Sequence, residues 1–180
     1  MRWFTSDTHF GHKGVIEYCK RPFEDVEEMN AELIRRWNVC VKPEDTVYHL
    51  GDFSFVGSVA TKEIISNLNG GIILIRGNHD SKPHRFFKVI LPSLMISIGK
   101  FSVNLSHYPY AGETTDERDF TDRQLKDEGY PLLHGHVHCE WKTKKNMINV
   151  GVDQWAFAPV SEQEIQELLE SQELLKGEEM

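Results

Sequence analysis

The chain has 180 residues, 39% of them apolar, and a net charge of −8. That is enough to bury one sizeable core as a single domain over residues 1–180, and it disfavours general binding to long nucleic acids or anionic membranes. Three cysteines without Cys-x-x-Cys spacing argue against a disulfide framework or a thiolate zinc site; no apolar run reaches the ~18 residues of a membrane span, and MRWFTSDTHF leaves no room for a signal sequence before the first chemical motif, so the expected address is cytoplasmic.

In chain order, strand-like runs alternate with helical patterns, as in α/β chains. RWFTS (2–6) predicts a first strand, followed by Asp7, His9 and His12. Val26, Met29, Leu33, Ile34 and Trp37 then share one helical face. TVYHL (46–50) predicts a second strand running into Gly51 and Asp52, and Ile64, Ile65 and Leu68 mark a helix before the turn NGG. IILIR (72–76) leads into Gly77, Asn78, His79 and Asp80. LMISI (94–98) and FSVNLS (101–106), separated by Gly99 and Lys100, predict a hairpin that ends at His107. Residues 108–130 form a long polar stretch, expected to be a lid or surface excursion, and Glu113, Asp116, Glu117, Asp119 and Asp122 make it a poor guide for a polyanion. PLLH (131–134) precedes Gly135, His136 and His138, and MINV (147–150) predicts a last strand. Ser161 with Glu164 reads as a capping box, with Ile165, Leu168 and Leu169 as the apolar side of a final, acidic helix.

Five predicted strands thus end in hard or borderline metal ligands. In open α/β sheets the carboxyl ends of strands lie along one edge, so residues distant in sequence can meet there. Two carboxylates, one amide oxygen and several imidazoles suit manganese, iron, nickel, cobalt or zinc better than calcium. The donors are too many for one metal that keeps an open position. Two ions ~3.5–4 Å apart with a bridging carboxylate would use them all, the known clamp for displacement at phosphorus.

The ordered motifs SDTHFGH, GDFSF, GNHD, LSHYPY and HGHVH, from Asp7 to His138, resemble those of the calcineurin-like metallophosphoesterases. The opening FTSDTHFGH and NVGVDQW (149–155) look like the small prokaryotic and phage members. The resemblance implies an α/β fold, a two-sheet β-sandwich flanked by helices in four αββα layers, with the site at the sheet edges. It implies two divalent ions, manganese favoured: one held by Asp7, His9 and His138, the other by Asn78, His107 and His136, with Asp52 bridging. His136 and His138 would each face one ion, and Gly135 would relieve the backbone where it bends toward them. His79 resembles the family's general acid, while His12 and Asn78 are candidate substrate contacts. The implied reaction is hydrolysis of a phosphodiester or small phosphate ester, a nucleotide among the candidates, by a metal-bridging hydroxide. About four positive charges on the ions against about three negative ones on Asp7, Asp52 and hydroxide leave a local positive surplus, which attracts small phosphate esters into an acidic protein.

Blander readings fit other residues. His49 reads as a core imidazole, His134 as a buried or supporting one, His84 as surface or rim, and Asp80 as a turn or helix-cap residue. Alternation turns Cys139 away from the site, and Trp155 reads as a core aromatic before a base-stacking platform. GDFSFVG lacks the arginine of the Gly-Asp-x-Val-Asp-Arg-Gly motif of Ser/Thr protein phosphatases, and Phe55 stands where purple acid phosphatases carry a metal-binding tyrosine. A diester is therefore preferred, with Arg21, Arg76 or Arg85 as alternative sources of a phosphate clamp. The rival expectation is a non-catalytic protein-binding scaffold on the same fold.

Overall fold

The computed structural model describes residues 1–80, 86, 87, 89–113 and 123–178, with side chains to Leu174. The readings of His84, Arg85 and acidic residues 116, 117, 119 and 122 lie outside that range. The first sheet contains β1 (Arg2–Thr5), β2 (Thr46–His49), β3 (Gly71–Ile75), β4 (Val89–Leu91) and β10 (Val160–Ser161), in the order β10-β1-β2-β3-β4. All its pairs are parallel except β1 with β10. The second contains β5 (Ser93–Ile98), β6 (Phe101–Ser106), β7 (Leu132–His134), β8 (Thr143–Lys144) and β9 (Met147–Asn149), ordered β5-β6-β7-β9-β8. β5 and β6 form the expected antiparallel hairpin, while β6, β7 and β9 run parallel.

Period-two alternation explains the layers. Val47, Ile72 and Leu74 face the helices α1 (Lys13–Tyr18), α2 (Val26–Cys40) and α3 (Ser58–Ser66), joining Val15, Met29, Leu33, Trp37 and Ile64 in one core. Phe4, Leu50 and Ile75 face the second sheet instead and meet Val103, Leu105, Leu133 and Ile148. Asp25 starts α2 by accepting the Glu28 N–H (2.8 Å), while Glu28 returns to the Glu24 N–H. Ser161 and Glu164 make the predicted capping box at α4 (Glu162–Glu178), whose Ile165 and Leu169 enter the inter-sheet core. No helix among the described residues is long and apolar enough to cross a membrane.

Among the described residues, five elements had no sequence-based expectation: α1, β4, β8, β10 and a single 3-10 turn at Val152–Gln154. Each is 2–6 residues long, too short for a periodic signal, and the three strands exist because a longer neighbour supplies their hydrogen bonds. The sheet order decides where the chemistry lies. Thr5 pairs with His49, and His49 with Leu74, so β1, β2 and β3 end level. The parallel strands β6, β7 and β9 likewise end together, at Ser106, His134 and Asn149. The two edges are joined at Ser6, whose carbonyl accepts the Val152 N–H at 3.0 Å.

Candidate metal centre

The loops after β1 and β2 run side by side: Asp7, His9 and Phe10 donate their N–H groups to the carbonyls of Gly51, Asp52 and Phe53 at 3.0–3.1 Å. The loop after β3 is tied to them by Asp80, which is buried. Its carboxylate accepts the N–H groups of Asp52 (2.8 Å), Phe53 (3.2 Å) and Gly77 (2.9 Å). Asp80 therefore closes its own turn, as expected, but it also fastens two site loops together.

Among the described residues, five of the nine non-glycine positions with positive φ are Asp7 (55°), His9 (51°), Asp52 (56°), His136 (71°) and His138 (45°). Left-handed backbone is costly for side-chain-bearing residues and persists where the surroundings over-determine it. Here it redirects side chains off the strand ends. The backbone bend is thus made by His136 and His138 themselves, which corrects the role expected of Gly135. A Cβ on Gly135 would lie 2.0 Å from Ser6 Oγ and 2.3 Å from Asp7 Oδ2, so its smallness, not its flexibility, is required.

Both carboxylates are used in the same divided way. Asp7 Oδ2 accepts the His136 N–H (3.0 Å) and Asp52 Oδ1 accepts the His79 N–H (2.9 Å). The other oxygens face inward. Asp7 Oδ1 and His9 Nε2 are buried without a hydrogen-bond partner among the described residues and lie 3.9 Å apart. Asp52 Oδ2 lies 3.5 Å from His9 Nε2, 3.6 Å from His107 Nε2 and 3.9 Å from His79 Nε2. His107 Nδ1 donates to Leu50 O at 2.7 Å, which turns its Nε2 toward Asn78 Oδ1 at 2.9 Å. His136 Nδ1 meets the same oxygen at 3.1 Å. Buried lone pairs directed at one another are unfavourable unless a cation sits among them. Asp7 with His9 and His138, and Asp7 with Asp52 and His107, each bring one donor atom within 4.8 Å of the others, close enough to hold a metal ion. All seven expected donors therefore converge, and Asp7 as well as Asp52 reaches both halves.

Two residues outside the motifs fix His138. Its Nδ1 lies 3.2 Å from Asp153 Oδ2, and Arg21 grips Asp153 through Nε (2.8 Å) and Nη2 (2.9 Å) while donating to the main-chain oxygens of Asp7 and Thr8. Both partners are buried. Only the resemblance of NVGVDQW to the small relatives had drawn attention to Asp153, and Arg21 had been read only as an alternative phosphate clamp, whereas it is committed to Asp153. Cys19, with His138 and Asp153, forms a third grouping of donors, but Arg21 already neutralises that carboxylate.

Charge follows this layout. Burial would lower the His138 pKa, but Asp7, Asp153 and Cys19 overcome it and raise it to about 11. His9, by contrast, is held well below its ordinary value, first by burial and then by His138 and Arg21 nearby. Burial pushes Asp52 up to about 6 against the pull of His107; it pushes Asp7 up too, but His138 and His107 prevail and hold that carboxyl low. A proton therefore sits on His138 in the metal-free chain, and an ion bound there must displace it.

His79 stands at the mouth, its side chain 36% exposed. Phe55 packs beside it (ring centroids 4.6 Å apart) and stacks on His12 (3.9 Å). His12 Nδ1 meets His9 Nδ1 at 3.1 Å and His12 also lines the 450 Å³ cleft over the centre, so it is placed both to support His9 and to reach a substrate. His49 and His134 are fully buried one step behind the site, bonded through Thr8 Oγ1 and Gly135 O. Cys139 is exposed. Trp155 is half-buried against the inter-sheet core, its indole N–H on Asn149 O.

Residues 3–160 match the model of the calcineurin-like phosphoesterase superfamily domain. An uncharacterised protein of Methanocaldococcus jannaschii is 35% identical, with 97% of this chain and 94% of that protein aligned. The gene 66 protein of Mycobacterium phage L5 is 35% identical over 93% of each. A crystal structure of a protein of unknown function from Aquifex aeolicus superposes with a TM-score of 0.76 at 30% identity, covering 93% of this chain and 98% of that one.

Proposed function

The chain belongs to the calcineurin-like phosphoesterase superfamily, and from that premise we propose that it hydrolyses a phosphodiester or small phosphate ester, nucleotides included, with two divalent ions, manganese favoured. The observation that carries this reading is the meeting of buried, unpartnered lone pairs at Asp7 Oδ1 and His9 Nε2, beside the inward oxygen of Asp52. Such a set is costly to bury for structure alone. Asp7, His9 and His138 would hold one ion and Asn78, His107 and His136 the other, with Asp52 available to both. When bound, divalent ions make a water nucleophilic near neutral pH and neutralise charge developing at phosphorus.

The remaining work falls to the chain's own groups. Asn78 and His12 border the cleft where the phosphate oxygens rest. His79, exposed and 3.9 Å from Asp52 Oδ2, delivers its proton to the departing oxygen. Arg21, one of three candidate clamps, is committed to Asp153 and lies buried. No arginine among the described residues lines the cleft over the centre, which favours a diester over a monoester. The acidic chain favours a small substrate in the cytoplasm over a polymer.

A panel of nitrophenyl and alkyl mono- and diesters, run separately with manganese, nickel, zinc and magnesium, tests the reading. Turnover of bis(p-nitrophenyl) phosphate, fastest with manganese, is expected. A chain loaded with two ions yet inert on every ester would support the scaffold instead. In the same panel His79→Ala slows alkyl esters by roughly 10²–10⁴-fold and nitrophenyl esters far less, whose leaving group needs no proton; equal losses would remove His79 from that role.

A further inference from the structure

A second cavity, about 530 Å³, adjoins the metal centre, and Asn78 lines both. Its inner wall is Tyr108, whose ring lies edge-on to His107 (4.9 Å) and His136 (5.0 Å), so the cavity backs directly onto two of the histidines that face the ions. Arg76, Arg123 and Gln124 supply much of its polar lining.

The arginines separate into two groups. Arg2 pairs with Glu162, Arg21 with Asp153, and Arg35 and Arg36 with Glu32. Arg76 and Arg123 alone, of the six that are described, have no side-chain ion pair or hydrogen bond among the described residues. Both line this one cavity. In a chain of net charge −8, two uncommitted guanidiniums beside a phosphate site form a local anion trap, and guanidinium geometry matches phosphate. Arg76 lies two residues from Asn78, and so within about 7 Å along the backbone. That short span suits a second anion on the same small molecule.

We infer that the substrate is a phosphodiester bearing a second phosphate, the scissile group resting at the metal centre and the other between Arg76 and Arg123. This rests on the phosphoesterase reading above and narrows it. It also gives Arg76 a purpose other than clamping the scissile phosphate.

The test compares two substrates on the full-length, manganese-loaded chain: the p-nitrophenyl ester of thymidine 5′-phosphate, and the same ester with an additional phosphate on the 3′ hydroxyl. Bis(p-nitrophenyl) phosphate, which has no second phosphate, is the control. The doubly phosphorylated ester should be preferred in kcat/KM by roughly 10–100-fold. R76A and R123A should each erode that preference and the double variant abolish it, with control turnover within about twofold of the parent. Equal kcat/KM on both thymidine esters, or a preference that survives in the double variant, overturns the inference while the control's turnover leaves the phosphoesterase reading standing. Should no ester be cleaved, that reading fails separately, and calorimetric binding of thymidine 3′,5′-bisphosphate against thymidine 5′-phosphate decides the inference. Tighter bisphosphate binding that the double variant loses supports it, and equal affinities overturn it.

Discussion

The two halves of the candidate centre are built on different physics. Asp7, His9 and His138 are backed by full charges, the buried Arg21–Asp153 pair holding His138 from behind. In the other half, His107 is backed by a neutral dipole, the Leu50 carbonyl on its Nδ1. A carboxylate behind a metal-facing imidazole raises its basicity more than a carbonyl does, so the charged half should bind its ion more tightly. It should also release a proton in doing so, because His138 is protonated beforehand. The comparison teaches that a nearly symmetrical set of ligands can be made unequal from behind.

The largest effect comes from removing what the halves share. Asp52→Asn should cost several kcal/mol of stabilisation at phosphorus, a loss of ~10³-fold or more in kcat, with metal analysis finding fewer than two ions bound. Retention of both ions and of activity would break the division itself. Next, Asp153→Asn should weaken the tighter of two calorimetric binding steps by roughly 10–100-fold and leave the weaker one unchanged, collapsing the difference between the halves. Arg21→Met leaves Asp153 buried without its partner and should lower unfolding stability by about 3–5 kcal/mol, measured by urea denaturation of the metal-free protein.

Below these comes a prediction that treats both sheets alike. His49 in the first sheet and His134 in the second are each held down to about 4 by burial. Between that value and the unfolded 6.5, the unfolded chain binds these protons and the folded chain does not, so stability is lost as pH falls through the window. Each group contributes up to roughly 3 kcal/mol by pH 4. Metal-free protein should show its urea midpoint falling from pH 6.5 to 4, with a shallower slope in His49→Gln; a flat profile would contradict neutral burial. Smallest is Gly135→Ala, about 1–3 kcal/mol for displacing Ser6 and Asp7, which should loosen the charged half first.

Much of this was legible in the chain because the donors sit directly after strands, where local pattern and chemistry coincide. IILIRGNHD and PLLHGHVH announce both the strand and the ligands in one stretch. Asp80 was misjudged in part because its N–H partners Asp52 and Phe53 are 28 and 27 residues away. The pairing of Arg21, read only as an alternative phosphate clamp, was hidden for the same reason: its carboxylate is 132 residues distant. The cavity between Arg76 and Arg123 joins segments from different strands, and no window of sequence contains it.

The sequence by itself determined the alternation that makes two apolar cores and the inventory of oxygen and nitrogen donors, since both are properties of residue type and spacing. Tertiary structure alone decided which oxygen of each carboxylate faces inward, which imidazoles are buried neutral and which is charged, and which of the described arginines remain unpaired. Those outcomes depend on desolvation and on distances between segments far apart in the chain, and such quantities have no value until the strands lie side by side.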